Sequence, residues 1–296
     1  MYRRFAVVAL GLLCAIVVTG AAVRLTGSGL GCTDWPRCNE EKFIDVSSTH
    51  GAIEQVNRLF TGLVTLGVVT AVLGAMRRVP RRTDLVLLAW GLVAGVMGQV
   101  VLGGIVVLTD LHPLANQGHF LLSMVLVVNA LVLVRRAGEE SPVRRPVVSS
   151  SSALLVRIVV AAGLFAVLTG TVVTGSGPHA GDEEARRFGF DISSVARLHG
   201  ASVILALGLL LSLIVVVRRH GDWRRLDGPI ETLLVIGLVQ GAVGYVQYFN
   251  DIPALLVGIH IAGATAFTLA LANLWLSLRA GDEVQAENEP IRATTS

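Results

Sequence analysis

Glutamine, glycine and histidine recur together twice in this chain. From Gln99 to His119 the sequence reads QVVLGGIVVLTDLHPLANQGH, and from Gln240 to His260 it reads QGAVGYVQYFNDIPALLVGIH. Each copy opens with glutamine in an apolar run, has glycine four residues on (Gly103, Gly244) and breaks at a polar stretch with a proline (Pro113, Pro253). Each then resumes as an apolar run holding one histidine, twenty residues after its glutamine, and the copies are offset by 141 residues. The pattern predicts one helix out, a tight turn and one helix back, with a histidine at the same depth in both copies. Polar side chains inside membrane helices are costly and tend to mark function. Two imidazoles on facing helices of one bundle can clamp a haem iron from both sides, and His199 with His260 forms such a pair. The simpler alternative for either is a histidine hydrogen-bonded to a neighbouring helix.

His119 occupies the corresponding place in the first half, and there the residue that by position faces the role of His199 is Asn57, at an offset of 142. Asparagine is a poor iron ligand. His50 lies seven residues before Asn57, two helical turns back, where it either reaches the same pocket or is a solvated loop residue. Glu54 and Asn57, three apart, share a helix face. Arg58 follows Glu54 by four, which suits a helical ion pair; a carboxylate at the boundary of a pocket can also accept or relay protons. Cys32 and Cys38 flank Trp35 and Pro36 in a polar loop. Outside the cytoplasm two such cysteines form a disulfide; otherwise they are free thiols or a metal pair. Cys14 lies in an apolar run as a buried, inert thiol. His112, His179 and His220 fall in turns, loops or arginine-rich segments and read as surface or pocket-rim residues.

The elements that must hold these residues are transmembrane. The chain has 296 residues, 53% hydrophobic and only 15% charged, against about 25% charged in an average soluble domain. Eight apolar runs are each long enough to cross ~30 Å of hydrocarbon. They lie at about Phe5–Val23, Leu59–Met76 (with helix reaching back through Glu54), Leu85–Leu108, Gly118–Val134, Ala153–Val173, Val195–Val217, Ile230–Phe249 and Ala254–Leu278. The first is too long for a signal-peptide core of about 7–15 residues. The net charge of +3 does not point to nucleic acid, because the arginines follow topology. They cluster at Arg77, Arg78, Arg81 and Arg82, at Arg135, Arg136, Arg144 and Arg145, and at Arg218, Arg219, Arg224 and Arg225, with Arg3, Arg4 and Arg279 in further inner segments. The short turns between the third and fourth and between the seventh and eighth runs hold no Lys or Arg. That bias predicts both termini in the cytoplasm. Lys42 is the sole lysine among 24 basic residues, a composition that suits a high-GC bacterium.

A second repeat joins the first and fifth runs. VVTGAAVRLTGSGLG (Val17 to Gly31) and VLTGTVVTGSGPHAG (Val167 to Gly181) share Thr-Gly and then Thr-Gly-Ser-Gly. The expected fold is therefore an all-α integral membrane protein, with eight transmembrane helices arranged as two repeated four-helix bundles. Residues 1–136 form the first half, 137–152 a cytoplasmic linker, 153–280 the second half and 281–296 a disordered tail.

Two four-helix halves, a cysteine pair in the first outer loop, Glu54-x-x-Asn57-Arg58 after it and one histidine in each later even-numbered span together resemble the heme A synthase family. The likeness covers about residues 1–280. It implies haem b between His199 and His260 in the second half, and a first-half pocket of His119, Asn57, Arg58 and His50 that receives haem O. One methyl of haem O would become a formyl, giving haem A for cytochrome oxidase. Glu54 matches the family's important acid, and Cys32 with Cys38 its disulfide. The family usually has histidine where this chain has Asn57, so His119 alone binds the substrate iron or His50 stands in. The implied partners are haem O synthase, an electron donor and membrane lipid, and the implied location is the bacterial cell membrane. Two other classes fit parts of the pattern. A membrane cytochrome b carrying electrons would want haems near both faces, and a repeat-built transporter would want broken helices near the midplane.

Overall fold

A computed structural model of the chain describes residues 2–281. Eight helices follow one another: α1 (Tyr2–Leu25), α2 (Thr49–Met76), α3 (Thr83–Leu108), α4 (Pro113–Ala137), α5 (Ser150–Ser176), α6 (Ile192–Arg219), α7 (Trp223–Phe249) and α8 (Ala254–Leu276). All eight are long and apolar enough to span a membrane, and the shortest, at 23 residues, covers about 35 Å at 1.5 Å per residue. The protein is a multi-pass membrane protein.

Packing repeats as the sequence does. Each of α1 to α4 packs on the next and α4 closes on α1; α5 to α8 do the same, α8 closing on α5. One apolar core, including Leu85, Leu92 and Leu133, fills the first ring, and another, including Leu213, Ile230 and Leu274, fills the second. α8 packs on α1 and α4, and α4 on α5, across the middle. Polar ties reinforce that seam: Gln117 Nε2 donates to Thr171 Oγ1 at 2.7 Å, and Arg135 Nη1 to Asn273 Oδ1 at 3.0 Å.

The two short turns are built alike. Asp110 and Leu111 (φ 52° and 58°) follow α3, and Asp251 and Ile252 (φ 58° and 54°) follow α7. Left-handed backbone is uncommon for such side chains. It is used here because it lets Leu111 N–H reach Val106 O at 2.8 Å and Ile252 N–H reach Gln247 O at 2.9 Å, satisfying carbonyls that a helix end leaves open. At this same end the longer loops interlock: Arg24 donates to His179 O (2.5 Å) and Thr174 O (2.7 Å), and Gly29 N–H to Gly181 O (2.9 Å).

The helices extend beyond the apolar runs wherever a cap is present. Ser48 caps α2 by accepting from Gly51 N, so α2 starts at Thr49 rather than Glu54. Ser149 caps α5, which takes up Ser150 to Ser152 from the expected linker. What remains of that linker holds a short strand, β1 (Arg144–Pro146), antiparallel to β2 (Arg279–Gly281). Gly281, expected in the disordered tail, thus pairs with Arg144; the rest of that segment, 282–296, lies outside the described residues.

Candidate functional site

His199 and His260 face each other from α6 and α8, with ring centroids 6.3 Å apart and planes at 88°. An ion about 2 Å from one nitrogen of each ring puts the centroids roughly 6 Å apart, so the pair is spaced to hold a metal from both sides. Its protonation suits that role. His199 Nδ1 lies 3.0 Å from Ala166 O; a carbonyl only accepts, so Nδ1 carries the proton and Nε2 the lone pair. Thr169 Oγ1, 3.2 Å from the same Nδ1, bonds in turn to Ser202 Oγ at 3.0 Å, and Ser202 donates to His199 O at 2.7 Å. Hydrogen bonds of this kind to the far side of an imidazole fix its tautomer and ring orientation. His260 Nδ1 is buried without a partner. Glycines leave room for both rings: a Cβ on Gly170 would lie 3.1 Å from His199 Cε1, and one on Gly244 3.2 Å from His260 Cε1.

The first half has the same frame with different contents. Gly103 faces His119 Cε1 as Gly244 faces His260, at 3.6 Å. His119 sits six residues into α4 (from Pro113) and His260 six into α8 (from Ala254). Gln99 Nε2 donates to His119 O at 3.1 Å and to Ser123 Oγ at 2.7 Å. Gly20, the repeat partner of Gly170, faces nothing within 4 Å, since Asn57 brings no ring there. Asn57 Oδ1 and His119 Nδ1 are buried without hydrogen-bond partners. His50, in the first turn of α2, is exposed, with Nδ1 2.9 Å from Ser28 Oγ.

Above this frame sits a feature the second half lacks. Cys32 and Cys38 form a disulfide. Cys32 N–H donates to Glu54 Oε2 at 2.8 Å, and Arg58 donates to Glu54 Oε1 from Nε (2.9 Å) and Nη2 (2.6 Å). Glu54 is 6% exposed. Arg58 also donates to Asp34 O and Arg37 O and lies 4.9 Å over the Trp35 ring, which packs against Gly104. The ion pair that the four-residue spacing suggests is therefore present, and Arg58 is turned to the loop. In register, Ala196 stands where Glu54 would be in α6.

Residues 3–180 match the family of cytochrome oxidase assembly proteins, COX15-CtaA. The chain belongs to this family. It is similar to heme A synthase of Geobacillus kaustophilus, 29% identical over 133 residues that make up 44% of this chain and 41% of that protein. It is similar also to heme A synthase of Shouchella clausii, 27% identical over 250 residues, 79% of this chain and 83% of that protein. A 67-residue stretch is 39% identical to protoheme IX farnesyltransferase of Thermus thermophilus, covering 22% of this chain and 11% of that one. The chain thus spans less than half the length of the first of these relatives and most of the second.

The family segment contains the disulfide, Glu54, Asn57 and His119, while the His199–His260 pair lies beyond it. His112 caps α4 by accepting from Leu114 N (3.3 Å), His179 bonds Ile252 O (2.7 Å), and His220 closes α6 at Val216 O (2.9 Å), so these three are structural. Thr169 and Ser202 were not legible as site residues. The repeated Thr-Gly at Thr19-Gly20 and Thr169-Gly170 was a signal for Thr169 and not for Ser202.

Proposed function

We propose that this chain is a heme A synthase that oxidises one methyl of haem O to a formyl group, in the cell membrane, with both termini in the cytoplasm. Haem b is the cofactor of the second half, held by His199 and His260, and the first half takes haem O as substrate. The observation that carries this reading is the 6.3 Å imidazole pair set against its first-half counterpart, where Asn57 stands in place of a second histidine. Haem b, when bound, supplies a one-electron couple. The protein's own residues do the rest. Thr169 and Ala166 hold His199 in the Nδ1–H tautomer, so that Nε2 is the donor atom. His119 holds the substrate iron from one side; Asn57 leaves the other side open and offers Oδ1 to a haem edge or a water. Turning the methyl into a formyl takes one oxygen atom from water and releases electrons, which pass to the electron-transfer partner, and protons, which Glu54 accepts. Trp35, in contact with both Arg58 and Gly104, shields the pocket from water.

The arginine-rich ends of the helices support a cytoplasmic assignment for both termini, and the Cys32–Cys38 disulfide supports an oxidising compartment for the opposite end. Haem O synthase supplies the substrate and an electron-transfer partner takes the electrons; the local similarity to a protoheme IX farnesyltransferase supports the first. The test is expression with a source of haem O, followed by chromatography of extracted haems. Haem A is the expected product; unchanged haem O in folded protein refutes the reading. Reporter fusions after Arg82 and Arg145 are expected to report cytoplasm.

A further inference from the structure

At the end of the bundle opposite the disulfide, a cavity of about 370 Å³ opens where α4, α5, α8 and β1 meet. Arg136, Arg144, Arg157 and Arg279 line it together with Trp275 and Leu278, and no carboxylate does. Glu139 is tied to Arg144 at 3.2 Å, and Asp84 to Arg82 at 2.8 Å and Arg136 at 3.6 Å. Arg157 and Arg279 have no carboxylate within ion-pair distance among the described residues. Arg144 is turned inward, donating to Leu276 O at 3.0 Å and Arg279 O at 2.7 Å. Arg157 and Arg279 leave the cavity with positive charge that no lining carboxylate offsets, which suits an anionic ligand. The neighbouring cavity, of about 330 Å³, shares Arg144 and Arg279 but is fringed by Glu139 and Glu140 and is less suited to one.

We infer that this cavity binds the headgroup of an anionic phospholipid, with the phosphate among Arg136, Arg144, Arg157 and Arg279 and an acyl chain along Trp275 and Leu278. The apolar wall distinguishes a lipid from a free anion. So does the position, at the ends of three membrane-spanning helices, with a half-exposed tryptophan of the kind that anchors helices at the interface. Basic pockets between helices at such an end recognise lipid phosphates.

Native mass spectrometry of the full chain in detergent tests this with phosphatidylglycerol, phosphatidylcholine and glycerol 3-phosphate as probes. Phosphatidylglycerol is expected to stay bound in preference to phosphatidylcholine. The variant Arg157→Gln with Arg279→Gln is expected to bind it roughly twenty-five-fold more weakly, at roughly fivefold per arginine, with helix content by circular dichroism unchanged. Arg157→Lys is expected to retain binding, and Trp275→Ala to weaken it. Equal retention of the two lipids, or no loss in the double variant, overturns the proposal. Competition by glycerol 3-phosphate at the lipid's own concentration also overturns it, since the site would then be one for small anions.

Discussion

The backbone N–H of Cys32 donates to Glu54 Oε2 at 2.8 Å, so the disulfide loop and the buried carboxylate form a single unit. Arg58 completes it by binding Glu54 and the carbonyls of Asp34 and Arg37. A change at any one of these residues is felt by the others.

Replacing Glu54 separates proton transfer from positioning. Glu54→Ala leaves Arg58 and Cys32 N–H without their acceptor, a cost of about 1–3 kcal/mol for a buried group, and is expected to stop haem A formation while second-half haem is retained. Glu54→Gln keeps an acceptor for Cys32 N–H but not the charge. A parental rate in Glu54→Gln, measured as haem A per extracted haem, would mean that the carboxylate only positions the loop.

The proposed ligation of haem by His199 and His260 is tested by absorption spectra. His199→Ala and His260→Ala are each expected to remove or alter the haem b spectrum, and unchanged spectra in both would refute the assignment. Thr169→Val removes one of two groups that orient His199 and is expected to weaken haem retention about tenfold, the lower end for loss of a hydrogen bond to an iron-binding imidazole. Gly244→Ala puts a methyl 3.2 Å from His260 Cε1 and is expected to shift the spectrum without abolishing it. In the first half, Asn57→Ala is expected to lower haem A formation less than His119→Ala does.

Loss of the disulfide is expected to act locally. Closing so short a loop contributes ~2–3 kcal/mol in the chain-entropy picture. Cys32→Ala with Cys38→Ala is therefore expected to lower the unfolding temperature by a few degrees and to reduce haem A yield through Glu54 and Trp35, with second-half haem b unaffected. Peptide mapping without reductant that finds both thiols free in the parent protein would remove the premise.

Acid is expected to loosen the start of α6. Asp191 caps that helix by accepting from Ser194 N at 2.9 Å, and bonds from Ser193 and Ser194 hold its carboxyl down at about 2. A depressed carboxyl contributes stability that is fully present above its unfolded value, about 4, and is lost as pH falls through about 2. The difference in amide protection of the first turn of α6 between the parent and Asp191→Ala should be constant above about pH 4 and vanish near pH 2. A difference that persists unchanged at pH 2 would show that the cap does not depend on the charge.

The sequence by itself determined the eight spans, the repeat and the matched depth of His119 and His260. These follow from local hydrophobicity and from residue spacing along single helices, and neither depends on which helices become neighbours. Helix starts at Thr49 and Ser150 were less legible because side-chain caps on Ser48 and Ser149, rather than apolar content, extend those helices. Only the tertiary structure decided the rest. The separation of His199 and His260, the turning of Arg58 toward Asp34 and Trp35, the His199–Thr169–Ser202 chain and the pairing of Gly281 with Arg144 all join residues on different elements. Contacts of that kind are set by how helices pack around glycines such as Gly104 and Gly170, and a one-dimensional pattern carries no distance between elements that are far apart in sequence.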